Sequence, residues 1–291
     1  MLSPSLTISQ IGSAAVMAET ENSSVWTFRR QESDALEVYL LGVVDFDSAM
    51  FLQDRLHREI AQRQDGLGAL LICEHPSMVT VGREGSLLDL PDDSHEFEAR
   101  LIQIKRVARG GGTLLHAPGQ VVAYPILPVE RDRFQAGRPA GHAASRSQCQ
   151  PALRDAEADL PEGRGGIFQF VRKCTTAVCD LALEFQVNAS VTADGTGVAS
   201  RCGQFGWVGA TIRDGVSLHG LFVNVTPDLE PFGLINAPRP ASSLSMQKMR
   251  PVAMSKVRES LIRNLSSQFG YEDMHLYTRH PLLTRKVVEY A

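Results

Sequence analysis

Apolar residues recur along this chain with two different periods, and the switches between them predict the order of elements. Residues 35–44 read as an apolar strand. Ala49, Leu52, Leu56 and Ile60 then fall at helical spacing, with Asp47 placed to cap the helix. Leu67 to Cys73 is short and almost wholly apolar, as a central strand is. Glu74-His75-Pro76 turns into Met78 to Val81, and Val121 to Leu127 forms a further apolar run. Phe170, Cys174, Val178, Leu181 and Phe185 define an amphipathic helix. Phe205 to Ile212 and Val216 to Val225 read as two strands joined near Arg213-Asp214-Gly215, because Asp-Gly between apolar runs signals a hairpin. Val257, Leu261, Leu265 and Phe269, ended by Gly270, mark a last helix. Strands come in hairpins and runs with helices between them, which favours an α+β sheet domain over a doubly wound one.

Two stretches lack this patterning. Residues 1–25 are polar and read as a mobile leader, within which Met17 is an alternative start. From about 131 to 166 the chain is rich in Gly, Ala, Arg and Pro without apolar periodicity, so it reads as an exposed insertion in one domain spanning 26–291. A net charge of -4, spread along the chain, gives no basic face for nucleic acid. The five cysteines are odd in number and form no CxxC pair, so neither a disulfide framework nor a metal site is expected. Cys174 and Cys179 fall on or near a core-facing stripe, which suits a structural role. With no signal peptide and no membrane-spanning run, a reducing cytoplasm is the expected location, with no membrane partner.

Chemistry concentrates in Arg109-Gly110-Gly111-Gly112-Thr113-Leu114-Leu115-His116-Ala117-Pro118-Gly119-Gln120. Successive glycines let backbone approach a ligand closely, with Arg109 and His116 bracketing them as polar contacts. A glycine triplet alone usually marks a turn. The whole string, R-G-G-x-x-x-x-H-x-P-G-Q, resembles the acyl-binding signature of the lipoyl(octanoyl) transferase family. Leu71-Ile72-Cys73-Glu74-His75-Pro76 through Gly82-Arg83, Gly197-Val198 through Gly209, and Ser217 through Val225 followed by Asp228-Leu229 and Pro231-Phe232 resemble further family segments in order. Together they cover most of residues 36–270.

The resemblance implies a biotin/lipoate protein ligase-like fold, a mixed and largely antiparallel sheet with packed helices. It also implies transfer of octanoyl from acyl carrier protein, through a Cys thiolate, to a lysine of a lipoyl domain, with no cofactor. By this carry-over Arg109, Gly110, Gly111, Gly112, Thr113, Leu114, Leu115 and His116 line the octanoyl pocket. Trp207, Val208 and Gly209, with Gly220, Leu221 and Phe222, contact the acyl group. For Trp207 and Phe222 plain core packing is an equal reading, and His219 reads as a hydrogen-bonded strand residue ahead of a catalytic one.

The resemblance stops at the reacting groups. Ile235-Asn236-Ala237-Pro238-Arg239 stands where the family carries its nucleophile, so Pro238 replaces the Cys. Counting back from His219-Gly220 puts Gln204 where the activating Lys belongs. Proline has no nucleophilic side chain, and a neutral amide cannot stabilise a thiolate. Cys202, two residues before Gln204 and on the same face if the strand is regular, is the substitute nearest in sequence. Three functions follow: transfer by direct attack of the acceptor amine, non-catalytic binding of acyl carrier protein, a lipoyl domain or acyl chains, and an ATP-using ligase. The last lacks a recognisable adenylate-binding loop and its lysine.

Overall fold

The computed structural model describes residues 35–63, 65–91, 95–129 and 165–283. The leader 1–25 and nearly all of the insertion lie outside the described residues, and residues 165–166 already belong to a helix.

An eight-stranded sheet is built in the order β11 (Asp273–Tyr277), β1 (Ala35–Val43), β2 (Gly68–Glu74), β6 (Gln120–Ile126), β10 (Val216–Asn224), β9 (Gly203–Arg213), β8 (Gly197–Ser200) and β7 (Ser190–Val191). β11, β1 and β2 run parallel. Every later pairing is antiparallel. Beside it lies a three-stranded sheet with β3 (Met78–Val81) between β4 (Gln103–Arg106) and β5 (Thr113–His116). The mixed, largely antiparallel α+β architecture expected from the sequence is therefore present.

The near-continuous apolar character of β2 and β6 follows from burial on both faces. Leu70, Ile72, Val121 and Ala123 face a core shared with Phe170, Cys174 and Val178 of the helix Gly165–Glu184, and with Val257, Leu261 and Leu265 of the helix Met254–Phe269. Leu71, Cys73, Val122 and Tyr124 face the opposite way, onto Ala49, Leu52, Leu56 and Ile60 of α1 (Phe46–Gln62). Each buried Leu or Ile here contributes about 2 kcal/mol. Gly270 ends the last helix in the left-handed region, as its position predicted.

The N-terminus of α1 corrects the sequence reading. Asp45, not Asp47, is the cap: its backbone is extended and its carboxylate accepts the Ser48 N–H at 2.9 Å, which leaves Asp47 in the first turn. α1 also buries two polar side chains against the hairpin. Gln53 Oε1 accepts the His219 N–H at 2.9 Å, and His57 Nε2 donates to the Arg213 carbonyl at 2.8 Å.

β9 and β10 meet through the two-residue loop Asp214-Gly215, with φ values of 49° and 74°. Two consecutive positive values make the turn whose twist matches the flanking strands. Replacing Gly215 with Ala is expected to lower unfolding free energy by about 1 kcal/mol in urea denaturation, because Ala resists that backbone region. Unchanged stability would show that the turn does not fix the hairpin register.

Candidate functional site

The signature loop is laced onto the small sheet by backbone bonds before any side chain acts. Gly82 N–H donates to the Gly112 carbonyl at 3.2 Å, Arg83 N–H to that of Arg109 at 3.0 Å, and Glu84 N–H to that of Gly111 at 3.3 Å. On its other side Gly110 N–H donates to the Ala210 carbonyl of β9 at 3.0 Å. The contact is close enough to require glycine: a Cβ on Gly209 would lie 2.7 Å from the Gly110 oxygen. In the β9–β10 register Gly209 faces Gly220, Val208 faces Leu221 and Trp207 faces Phe222. The signature loop thus meets the β9–β10 hairpin, which is distant from it in sequence.

Beneath the loop runs a chain of buried hydrogen bonds whose direction is fixed from one end. Arg109 is 1% exposed and can only donate; its guanidinium gives two bonds to Thr80 Oγ1, at 2.8 and 3.3 Å, and one to the Thr80 carbonyl at 2.9 Å. The Thr80 hydroxyl therefore turns its one proton to His116 Nε2, 2.9 Å away. Nδ1 of His116 then carries the ring proton and donates to Gln120 Oε1 at 3.0 Å. Gln120 Nε2 in turn donates to Asn224 Oδ1 at 2.9 Å, and Asn224 Nδ2 to the Ser242 carbonyl at 3.0 Å. The chain links the signature, β6, β10 and the segment after Pro238.

Burial sets the charges. Arg109 forms no ion pair among the described residues, and desolvation pulls its guanidinium down to about 10, so it stays charged at neutral pH. His116 is fully buried; desolvation, with the neighbouring His75 and Arg109, drives its imidazole well below the ordinary 6.5. His75 donates through Nδ1 to the Val44 carbonyl at 2.7 Å and accepts from the Tyr124 hydroxyl at 2.8 Å, and burial lowers it too. His219 sits in β10 with φ of 60° and is pushed down to about 4, by burial first and then by Arg109, Arg83 and Arg213.

A cavity of about 360 Å³ opens between β5, the β9–β10 pair and the segment Leu229 to Ala241. Of the sequence-predicted residues, Thr113, Leu114, Leu115, Trp207 and Phe222 line it. Arg109, Gly110, Gly111, Gly112, His116, Val208, Gly209, Gly220 and Leu221 do not. Val208 and Leu221 point into the helix-covered core on the far side of the sheet, and His116 packs edge-on against Phe222 at 4.7 Å. The signature thus contributes wall residues from β5 and support from its two polar ends. The sequence reading did not assign Leu229, Phe232, Ile235 or Arg239 to the lining, nor Gln120. Leu229 and Phe232 lie in the family-like Asp228 to Phe232 segment, Ile235 and Arg239 in the segment around Pro238, and Gln120 at the end of the signature, so each carries a signal only through the resemblance.

Pro238 and Gln204, the positions at which the resemblance sets the family's dyad, lie on hydrogen-bonded segments. Gln204 N–H donates to the Pro240 carbonyl at 2.9 Å and Ser242 N–H to the Gln204 carbonyl at 2.7 Å. The Gln204 amide itself is turned to the Gly206 carbonyl, 3.1 Å away. Pro238 is exposed, and Ala237 and Arg239 on either side of it line the cavity. None of the four described cysteines does; Cys202 is half-buried in the turn between β8 and β9. Among the described residues no cluster of His, Cys, Asp and Glu could hold a metal ion, and no helix is long and apolar enough to cross a membrane.

The histidines give a test. Their folded values lie below the unfolded 6.5, so the unfolded chain binds more protons once the pH drops below that value. Their contribution to stability is complete above about pH 6.5 and declines toward the pH of about 4 at which His219 titrates. The melting temperature is expected to fall between pH 7 and pH 5, while nitrogen NMR shows His116 as a non-titrating Nδ1–H tautomer. A His116 that titrates near its ordinary value would contradict the bond directions above.

Comparison with known proteins agrees with this geometry. The family model for the lipoyl protein ligase A/B catalytic domain matches residues 45–140. An octanoyltransferase of Roseiflexus sp. (strain RS-1) is 31% identical over 246 residues, covering 81% of this chain and 88% of the relative. An octanoyltransferase of Geotalea uraniireducens is 29% identical over 225 residues, covering 75% and 86%. Among solved structures, the bipartite lipoate protein ligase of Thermoplasma acidophilum, studied with its E2 lipoyl domain, superposes with a TM-score of 0.61 at 16% identity over 87% of this chain and 89% of that one. A lipoate-protein ligase A bound with ATP gives 0.60 at 14% identity, over 84% and 90%. Sequence similarity along most of its length makes this chain a member of the octanoyltransferase family, and the superpositions give it the fold of the lipoate protein ligases.

Proposed function

We propose that the protein holds a medium-length acyl chain, octanoyl by family, in the cavity beside β5, and that it does so without forming an acyl-cysteine. The observation that carries this reading is the lining of the cavity: Ala237 and Arg239 flank Pro238 at the family's nucleophile position, and no described cysteine takes its place. Leu114, Leu115, Trp207, Phe222 and Phe232 give the cavity apolar walls, against which each buried methylene gains about 0.8 kcal/mol. The donor by family resemblance is octanoyl-acyl carrier protein, and the acceptor a lysine of a lipoyl domain.

Transfer without the dyad has one simple form. The lysine amine attacks the thioester carbonyl, the C–S bond breaks, the carrier thiol leaves, and the amine's proton passes to the departing sulfur. Holding both reactants together supports such a step, but the covalent route that divides it in two is absent. Turnover is therefore slow compared with a dyad-bearing relative. If turnover is nil, the same cavity serves as a binding module for acyl chains or their carrier.

Intact-mass measurement separates these outcomes. After exposure to octanoyl-acyl carrier protein, the protein is expected to carry no hydroxylamine-sensitive octanoyl adduct, and apo-lipoyl domain added to the mixture gains octanoyl slowly. An adduct lost in Cys202→Ser would overturn the proposal. Pro238→Cys combined with Gln204→Lys is expected to form the acyl-enzyme, because both positions lie on segments already bonded to each other.

A further inference from the structure

We infer that the cavity favours an acyl chain ending in a free carboxylate over a neutral acyl group, with Arg239 as its counter-ion. The inference rests on the acyl-binding reading above and adds the charge of the ligand's head. Besides the Trp207 indole N–H, which can only donate a neutral hydrogen bond, three lining side chains are polar: Thr113, Gln120 and Arg239. Thr113 Oγ1 is bonded to Asp89 at 2.8 Å, and Gln120 is engaged on both its amide atoms by His116, the Leu115 carbonyl and Asn224. Arg239 makes no hydrogen bond or ion pair among the described residues, although its guanidinium offers five donors.

Its position tells which end of the ligand it meets. Arg239 lies in the exposed run 236–240 on the solvent side of the cavity, while Leu115 and Phe222, both buried, line apolar walls that suit a tail. A carboxylate there accepts charge-assisted, two-pronged bonds from the guanidinium. A thioester carbonyl has no charge and takes only an ordinary hydrogen bond. The cavity, at about 360 Å³, lies near the lower end of the range of about 300–1,000 Å³ found for small-molecule sites, which suits a single unbranched chain. An empty-handed arginine at the head end and spent polar groups elsewhere on the wall thus describe a site for a medium-chain fatty acid.

Isothermal titration of the full chain with octanoate and with octanamide tests this. Octanamide has the same shape and no charge. Octanoate is expected to bind about five- to tenfold more tightly, the margin of an accessible charge-assisted pair, and to lose that margin as salt is raised. Arg239→Gln is expected to abolish the preference by weakening octanoate far more than octanamide, and Arg239→Lys to restore part of it. Equal affinity for the two ligands, or a preference that survives Arg239→Gln, overturns the carboxylate inference while leaving the acyl pocket intact. Failure of both ligands to bind overturns the pocket reading as well.

Discussion

One buried cation organises this site. Arg109 lies under the signature loop without a carboxylate partner among the described residues, so its guanidinium is satisfied by neutral acceptors, most of them on Thr80. Removing a charge from water costs several kcal/mol unless its donors are all used. That requirement fixes the Thr80 hydroxyl, which fixes the His116 tautomer, which fixes Gln120 and through it Asn224. Each step joins elements that are distant in sequence. The walls of the cavity, β5 and β10, stand on this chain, with Phe222 resting edge-on against the His116 ring.

The consequence for chemistry is a division of labour within the signature. Thr113, Leu114 and Leu115 line the cavity, whereas Arg109 and His116, the obvious candidates for polar catalysis, face inward and are engaged in hydrogen bonds. If Pro238 and Gln204 hold the family's dyad positions, as the resemblance implies, the polar groups on the cavity wall without a partner among the described residues are the Arg239 guanidinium and the Trp207 indole N–H. On the function proposed above, such a wall suits holding an acyl chain better than activating one.

Much of the fold was legible because it rests on local pattern. The Asp214-Gly215 hairpin, the stripe of α1 and the Gly270 helix end each follow from a few neighbouring residues. β4 and β11 escaped notice for the converse reason: most residues of Gln103–Arg106 and all of Asp273–Tyr277 are exposed, so burial imposes no apolar alternation on them. The helix cap fell two residues early because Asp45 and Asp47 offer the same chemistry and only backbone geometry chooses between them. The signature was recognisable as a ligand-binding string, but the inward turn of its Arg and His was not. Their partners Thr80 and Asn224 lie in other elements, and nothing in their spacing announces the pairing.

The central claim is that this chain of hydrogen bonds acts as a unit, and a double-mutant cycle tests it directly. Thr80 and Gln120 are joined through His116, one at each ring nitrogen. Unfolding free energies are needed for Thr80→Val, Gln120→Met and the pair. If the chain is a unit, the second substitution costs less once the first has broken it, with a coupling of at least about 1 kcal/mol. Costs that add to within about 0.3 kcal/mol would mean that the bonds are independent, and that Arg109 does not organise the site.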